Sequence, residues 1–242
     1  NISNLDVNIP LECLTLITGV SGSGKSSLVR HAIKPALEEI LYGEINNTKH
    51  YTQAQINTKK YKKIEFIDQN PIGRSSRSNP VTYIKAYDDI RSLFSKQTLS
   101  KKRRYKTGHF SFNVDGGRCE ECKGEGEVTV EMQFMADVHL ICEECQGKRF
   151  KEEILQVTFN EKNIADILEL SIDEAINFFK EYGQINIVKK IQPLQNVGLG
   201  YVKLGQSSST LSGGESQRIK LASFLGKSMH SDKIIFIFDE PT

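Results

Sequence analysis

Eight residues near the start of the chain, Gly19-Val20-Ser21-Gly22-Ser23-Gly24-Lys25-Ser26, fit G-x-x-x-x-G-K-[ST] at every fixed position. Residues of these types at this spacing serve to grip the phosphates of a nucleotide. The glycines let consecutive backbone N–H groups curl around phosphate oxygens, and a following helix adds the positive end of its dipole. Lys25 has the reach for β- and γ-phosphates, the Ser26 hydroxyl can ligate Mg²⁺, and Ser27 belongs with the nucleotide-binding group. The plainer alternative is a glycine-rich turn with an incidental lysine. Against it stand an apolar run just before the loop and helical spacing just after. Far along the chain, Asp239-Glu240 closes a second apolar run. Asp239 suits the Mg²⁺ shell, and Glu240 suits polarising the attacking water. Alone, such a pair is more often a cap or an exposed turn; its weight comes from the phosphate loop.

Four of the five cysteines form two C-x-x-C pairs, Cys119/Cys122 and Cys142/Cys145, with 19 residues between them. Four thiolates in two such knuckles fit a tetrahedral Zn²⁺ whose closed shell is structural rather than catalytic. Gly124, Gly126 and Gly147 ease the turns around a metal. An iron–sulfur centre or a redox pair without metal are the alternatives. The C-x-x-C-x-G-x-G pattern also resembles the DnaJ-type zinc repeat, though only two such elements occur here. Metal-type spacing favours a reducing, cytoplasmic compartment over cystine. The fifth cysteine, Cys13, adjoins the apolar run Leu14-Thr15-Leu16-Ile17 and reads as a buried small hydrophobe.

These groups need elements to hold them. Leu5 to Pro10 alternates apolar and polar residues, which predicts a strand, and Leu14 to Thr18 predicts a more buried one running into the loop. Leu28, Ala32, Ile33, Leu37, Ile40 and Leu41 recur at helical spacing and predict a helix over 26–41. Gly43 to Lys63 is polar and predicts a mobile excursion. Ile64 to Asp68 predicts a strand. Residues 86–158 read as a helix, a basic stretch and two cysteine pairs separated by strand-like sequence. Ser171 and Glu174 form a capping box for a helix facing inward with Ile172, Ala175, Ile176 and Phe179. A further helix is expected from Glu215 to Gly226. Ile234 to Phe238 is continuously apolar, as in a parallel strand covered on both faces.

The bulk numbers agree with a globular nucleotide-binding protein. The chain has 242 residues, is 38% hydrophobic and 26% charged, and has no run near 18 apolar residues that could span a membrane. Its net charge of +2 is unevenly spread. Residues 45–106 hold 15 Lys and Arg against four Asp and Glu. Such a block is commonly a solvated face, and it also suits a polyanionic partner. With no Met at its start and Asp-Glu-Pro-Thr at its end, the chain reads as a piece of a longer protein.

Leu211-Ser212-Gly213-Gly214-Glu215 matches the L-S-G-G-E/Q signature of ABC ATPases, in order between the phosphate loop and Asp239. As physics it is a second helix entry with flexible backbone and a serine hydroxyl, able to hold a γ-phosphate. Gln69, after the strand at 64–68, resembles the glutamine that in this superfamily meets Mg²⁺ and the γ-phosphate. The chain further resembles the UvrA family through Asp68-Gln69-Asn70-Pro71-Ile72-Gly73-Arg74, Arg77-Ser78-Asn79-Pro80-Val81-Thr82-Tyr83 and Phe110-Ser111-Phe112-Asn113-Val114. Gly116-Gly117-Arg118-Cys119, Asn163-Ile164-Ala165-Asp166 and Val197-Gly198-Leu199-Gly200-Tyr201 continue the likeness, which runs from Leu5 to Thr242 and centres on the family's second nucleotide-binding half.

The resemblance implies an α/β fold: an ABC-type P-loop ATPase core with an inserted helical signature subdomain and a zinc-binding module. Residues 1–85 would be the first part of the core, and 86–210 the insertion, with the zinc module at about 105–158. Residues 211–242 would supply the signature helix and the closing strand. It implies Mg-dependent ATP hydrolysis by head-to-tail cassettes, with Lys25 and Glu240 catalytic. Ser212, Gly213, Gly214 and Glu215 would complete the partner cassette's site, so the isolated chain should turn over weakly or not at all. It implies dimerisation of the full-length protein, recognition of damaged duplex DNA in excision repair and delivery to UvrB. The DNA candidates are Lys101, Lys102, Arg103, Arg104 and Lys106, with Arg118, Arg74 and Arg77 weaker. A family ATPase with a drug-resistance or other non-repair role is the alternative; a nonenzymatic zinc scaffold or a chromosome-maintenance cassette is more distant.

Overall fold

A computed structural model describes residues 5–43, 50–57, 60–73, 75, 77–130, 132, 137–225 and 233–240. The chain separates into two compact units, residues 1–69 with 229–242 and residues 70–228. The first unit thus joins residues from both ends of the chain, and residues 211–225 lie in the second.

In the first unit the helix begins at the loop. Gly24, at φ 93°, supplies the left-handed turn that opens α1 (Lys25–Ser27), which passes into a π-helical stretch, Leu28–Ile33, and then α2 (Lys34–Tyr42). Pro35 lies at the start of α2. Having no N–H and a ring that crowds the carbonyl four residues back, it favours a loosened turn just before it. Gly43 ends the run in the left-handed conformation, its N–H bound to Glu39 O at 2.9 Å. Of the excursion expected at 43–63, residues 44–49 and 58–59 lie outside the described residues. Its end is already strand: β1 (Tyr61–Ile67) pairs in parallel with β6 (Lys233–Phe238), in register Ile64–Ile235, Phe66–Ile237 and Ile67–Phe238.

Two strand expectations fail here. Residues 5–10 and 14–18 form no strand, and Leu14 is 94% exposed. Cys13 is exposed rather than buried. An apolar run becomes a strand only where a neighbour offers a hydrogen-bonding ladder, and among the described residues β1 and β6 pair with each other alone. For the same reason β6 is half-buried, not covered on both faces.

The second unit is built mainly of short helices around an aromatic–aliphatic core. Asn79 is fully buried and caps α3 (Pro80–Tyr83), accepting from Thr82 N at 3.0 Å. Then follow α4 (Tyr87–Ser95) and α5 (Thr98–Lys102), and a 3₁₀ turn, Thr107–Phe110. Hairpin strands β2 (Glu127–Val130) and β3 (Val138–Ile141) pair antiparallel. Next come α6 (Glu152–Leu155), the small pair β4 (Thr158–Phe159) and β5 (Lys162–Asn163), and α7 (Ile164–Glu169). Helix α8 (Ile172–Glu181) carries the expected Ser171/Glu174 capping box and buries Ile172, Ala175, Ile176 and Phe179. Helices α9 (Ile185–Asn196) and α10 (Gly213–Leu225) complete the unit. Phe94, Phe110, Phe112, Phe150 and Phe179 are its largest fully buried side chains. Among the described residues no helix is long and apolar enough to cross a membrane.

Candidate functional site

At the carboxyl edge of the β1–β6 pair, two segments distant in sequence meet, Ile67 to Gln69 and Asp239 to Glu240. Asp239 N donates to Ile67 O at 3.1 Å, and Gln69 Nε2 donates to Glu240 O at 2.8 Å. Asp239 is also bound by Nε of Arg30, from the helix that starts at the phosphate loop. Ligands of open α/β folds bind outside strand carboxyl ends, which makes this edge a candidate nucleotide site. Within the loop, Lys25 Nζ donates to Gly19 O and Val20 O, both at 2.8 Å, folding the ammonium across the backbone curl. Gly22 and Gly24 take positive φ, 77° and 93°, and a side chain at Gly19 would meet Ser23 Oγ at 2.8 Å. Ser26 is half-buried at the helix start, while Ser21, Ser23 and Ser27 beside it are exposed. Glu240 is exposed and has a left-handed backbone, φ 51°, a conformation costly for a non-glycine and concentrated at functional positions. Ser26, Gln69 and Asp239 offer oxygen donors only, which suits Mg²⁺.

In the second unit, the signature serine is held by its own helix. Glu215 Oε2 accepts from Ser212 N at 2.7 Å and from Ser212 Oγ at 3.0 Å, while Glu215 N donates back to Ser212 Oγ at 3.3 Å. Tyr201 OH donates to the other oxygen, Oε1, at 2.7 Å. Burial pushes the Glu215 carboxyl up, but the Tyr201 and Ser212 hydrogen bonds outweigh it and leave the carboxyl below its ordinary range. Glu215 therefore orients the helix entry, with Ser212 exposed and Gly213 and Gly214 following. Sequence reading missed Tyr201 in this role. It lies fourteen positions from Glu215, and only tertiary folding joins them.

The four cysteines converge. Cys119, Cys122, Cys142 and Cys145 are buried, and their Sγ atoms all lie within 4.8 Å of one another. Two of the Sγ–Sγ separations are 3.9 Å (Cys119–Cys142) and 3.6 Å (Cys122–Cys145). A tetrahedron with Zn–S of about 2.3 Å has edges of about 3.8 Å, so the cage fits that ion. Burial pushes the Cys119 thiol up and Cys145 to about 12. Cys142 lies below the ordinary thiol range: burial raises it, but hydrogen bonds from the Cys145 backbone and from the Cys145 and Cys119 thiols prevail. Such a cage resists full ionisation without a cation, and a bound metal would reverse that. The cage is tied to the core by Cys119 N to Arg149 O at 2.9 Å and Lys151 N to Gly117 O at 3.0 Å. Arg77 donates to Glu125 at 3.4 Å and so braces the cage, a role that competes with contacting DNA.

The basic candidates divide. Lys101, Lys102, Arg104 and Lys106 are exposed around the end of α5. Arg103, also exposed, spends its guanidinium on Glu153 O at 3.0 Å and Gln156 Oε1 at 2.7 Å. Arg118 is half-buried and paired with Asp115 at 2.6 Å. Arg74 lies outside the described residues. Beside the thiol cage a cavity of about 360 Å³ is lined by Val128, Leu140 and Ile141 with Glu121, Glu143 and Glu144, an acidic rim that repels phosphate.

The same order of elements is found in known proteins. The family model described as "ABC transporter" matches residues 2–242. The chain is 49% identical over 245 residues to UvrABC system protein A of Clostridium tetani, covering all of this chain and 25% of that protein. Against the protein of the same name in Aquifex aeolicus it is 48% identical over 242 residues, covering 26% of it. The chain thus spans about a quarter of the length of the curated relatives it matches. The crystal structure of UvrA2 from Deinococcus radiodurans superposes with a TM-score of 0.81 at 42% identity, over 92% of this chain and 26% of that one.

Proposed function

This chain belongs to the ABC transporter family, and on that premise we propose that it is a Mg-dependent ATP-hydrolysing cassette of a UvrA-like DNA-damage sensor in excision repair. The observation that carries the nucleotide reading is the meeting of Gln69, Asp239 and Glu240 at one strand edge, tied through Arg30 to the helix that begins at Lys25. The repair reading is supported by the likeness to UvrABC system protein A over the whole chain.

In this reading the loop Gly19–Ser26 wraps the phosphates with backbone N–H groups. Lys25 exchanges its two carbonyl partners for phosphate oxygens. Mg²⁺, when bound, offsets charge on the phosphate oxygens. Ser26, Asp239 and Gln69 hold its shell, and Glu240 orients the attacking water and receives its proton. Ser212, positioned by Glu215, serves the γ-phosphate of a partner cassette, so the chain alone turns over weakly. The four-cysteine cage takes zinc as a structural ion within a module inserted, with the helical signature subdomain, into the ATPase core. Lys101, Lys102, Arg104 and Lys106 supply sequence-independent phosphate contacts to damaged duplex DNA, with Arg103 and Arg118 holding the surface that presents them. The full-length protein dimerises and passes the lesion to UvrB in the cytoplasm.

The deciding experiment measures binding of the intact protein to damaged and undamaged duplexes with and without ATP. A preference for damage that responds to ATP and is lost in Lys25→Ala is expected. Equal binding to both duplexes under all conditions would refute the repair reading.

A further inference from the structure

Arg30 lies five residues past Lys25, inside the π-helical stretch Leu28–Ile33. A π turn shifts the direction of the side chains it carries, and such turns gather at functional sites. Here the Arg30 Nε meets Oδ2 of Asp239 across 209 residues of sequence. The partners are unequally placed: the Arg30 side chain is 48% exposed and that of Asp239 5%. A carboxylate so deep needs a countercharge at all times, because leaving it buried and unpaired is strongly unfavourable. A guanidinium half in water leaves with little loss. The cation at this carboxylate is therefore exchangeable while the need for one is not.

We propose that Arg30 and Mg²⁺ compete for Asp239, so that Arg30 sets the magnesium requirement for nucleotide binding. This rests on the reading of Asp239 as a magnesium-shell residue. Nothing in the phosphate-loop pattern demands arginine at position 30, which marks it as a tuning residue of this chain. On magnesium entry the guanidinium swings towards solvent, and the carboxylate keeps a cation throughout.

The test titrates Mg²⁺ against the full chain holding a fluorescent ATP analogue, for the parent, Arg30→Met and Arg30→Gln. Methionine keeps the helix propensity and much of the length of the side chain without its charge. The expected result is a magnesium half-saturation about tenfold lower in Arg30→Met, with magnesium-free nucleotide binding unchanged. Arg30→Met should also gain more melting temperature than the parent on adding Mg²⁺ with ADP, since no guanidinium has to be displaced from Asp239. A folded Arg30→Met whose half-saturation is unchanged or raised overturns the proposal and leaves the nucleotide reading standing. Should Arg30→Met fail to fold, Arg30→Gln decides: a lower half-saturation supports competition, and an unchanged or raised value overturns it. Nucleotide binding by the parent with no magnesium dependence would instead remove Asp239 from the magnesium shell, and this proposal with it.

Discussion

Glu240 occupies a backbone conformation that disfavours side chains, at the end of a strand whose preceding residue is buried. If it orients water, Glu240→Gln in the full-length protein should bind ATP as the parent does and hydrolyse it about a hundredfold or more slowly. Single-turnover assays with parallel binding measurements check this; normal hydrolysis would make the site a nucleotide holder only. Glu12 gives a second residue-level prediction. Hydrogen bonds from Lys233 and Lys60 hold its carboxyl at about 2, below its ordinary value of 4.5. A depressed folded value means the contribution is complete above pH 4.5, shrinks as the pH falls and is gone below about 2. Because the pair is exposed, the effect is small and screened by salt. Thermal melts of Glu12→Gln and the parent should therefore differ most near neutrality in dilute buffer and converge at strongly acid pH.

At the scale of elements, the β2–β3 hairpin buries none of its strand residues, so it has little apolar reason to hold together. The cage at its base must supply that stability, as structural metal sites do. In the metal-loaded protein Cys13, which is exposed, should react with a thiol reagent while the four buried cysteines do not. After chelation all five should react, and circular dichroism should report loss of local structure with α8 and α9 retained. Five reactive thiols before chelation would disprove a closed cage. Helix α8 and residues 14–18 differ for a reason that belongs to this scale. A helix with a local cap and an inward stripe closes its own hydrogen bonds, whereas an apolar strand depends on a partner the local sequence does not name.

For the whole molecule, the placement of charge governs how a polyanion would be met. Lys102 and Arg104 are exposed, and Arg103 bonds to Glu153 and Gln156, so the informative double variant is Lys102→Glu with Arg104→Glu. It should weaken duplex binding uniformly across sequences and lower the slope of log affinity against log salt by about 0.9 for each phosphate no longer neutralised. Filter binding from low to moderate salt measures both, and an unchanged slope would move the DNA surface elsewhere. Arg103→Ala should instead lower stability, by removing the link to residues 153–156.

Sequence alone determined the chemistry whose parts are contiguous: the phosphate loop, the two cysteine knuckles, the Ser171 box and the signature entry, because each is defined by spacing along the backbone. It also supplied the α/β ABC family, through several short patterns in fixed order. Tertiary structure decided what spacing cannot encode. Arg30 meets Asp239, Tyr201 meets Glu215, and Arg103, exposed like its neighbours in a run of cations that looked equivalent, is tied to Glu153 and Gln156. It also left Leu5–Pro10 and Leu14–Thr18 outside any sheet. The reason is the same in each case: a hydrogen bond or ion pair between remote residues depends on where two elements are held, and one-dimensional periodicity reports only which face of its own element a residue occupies.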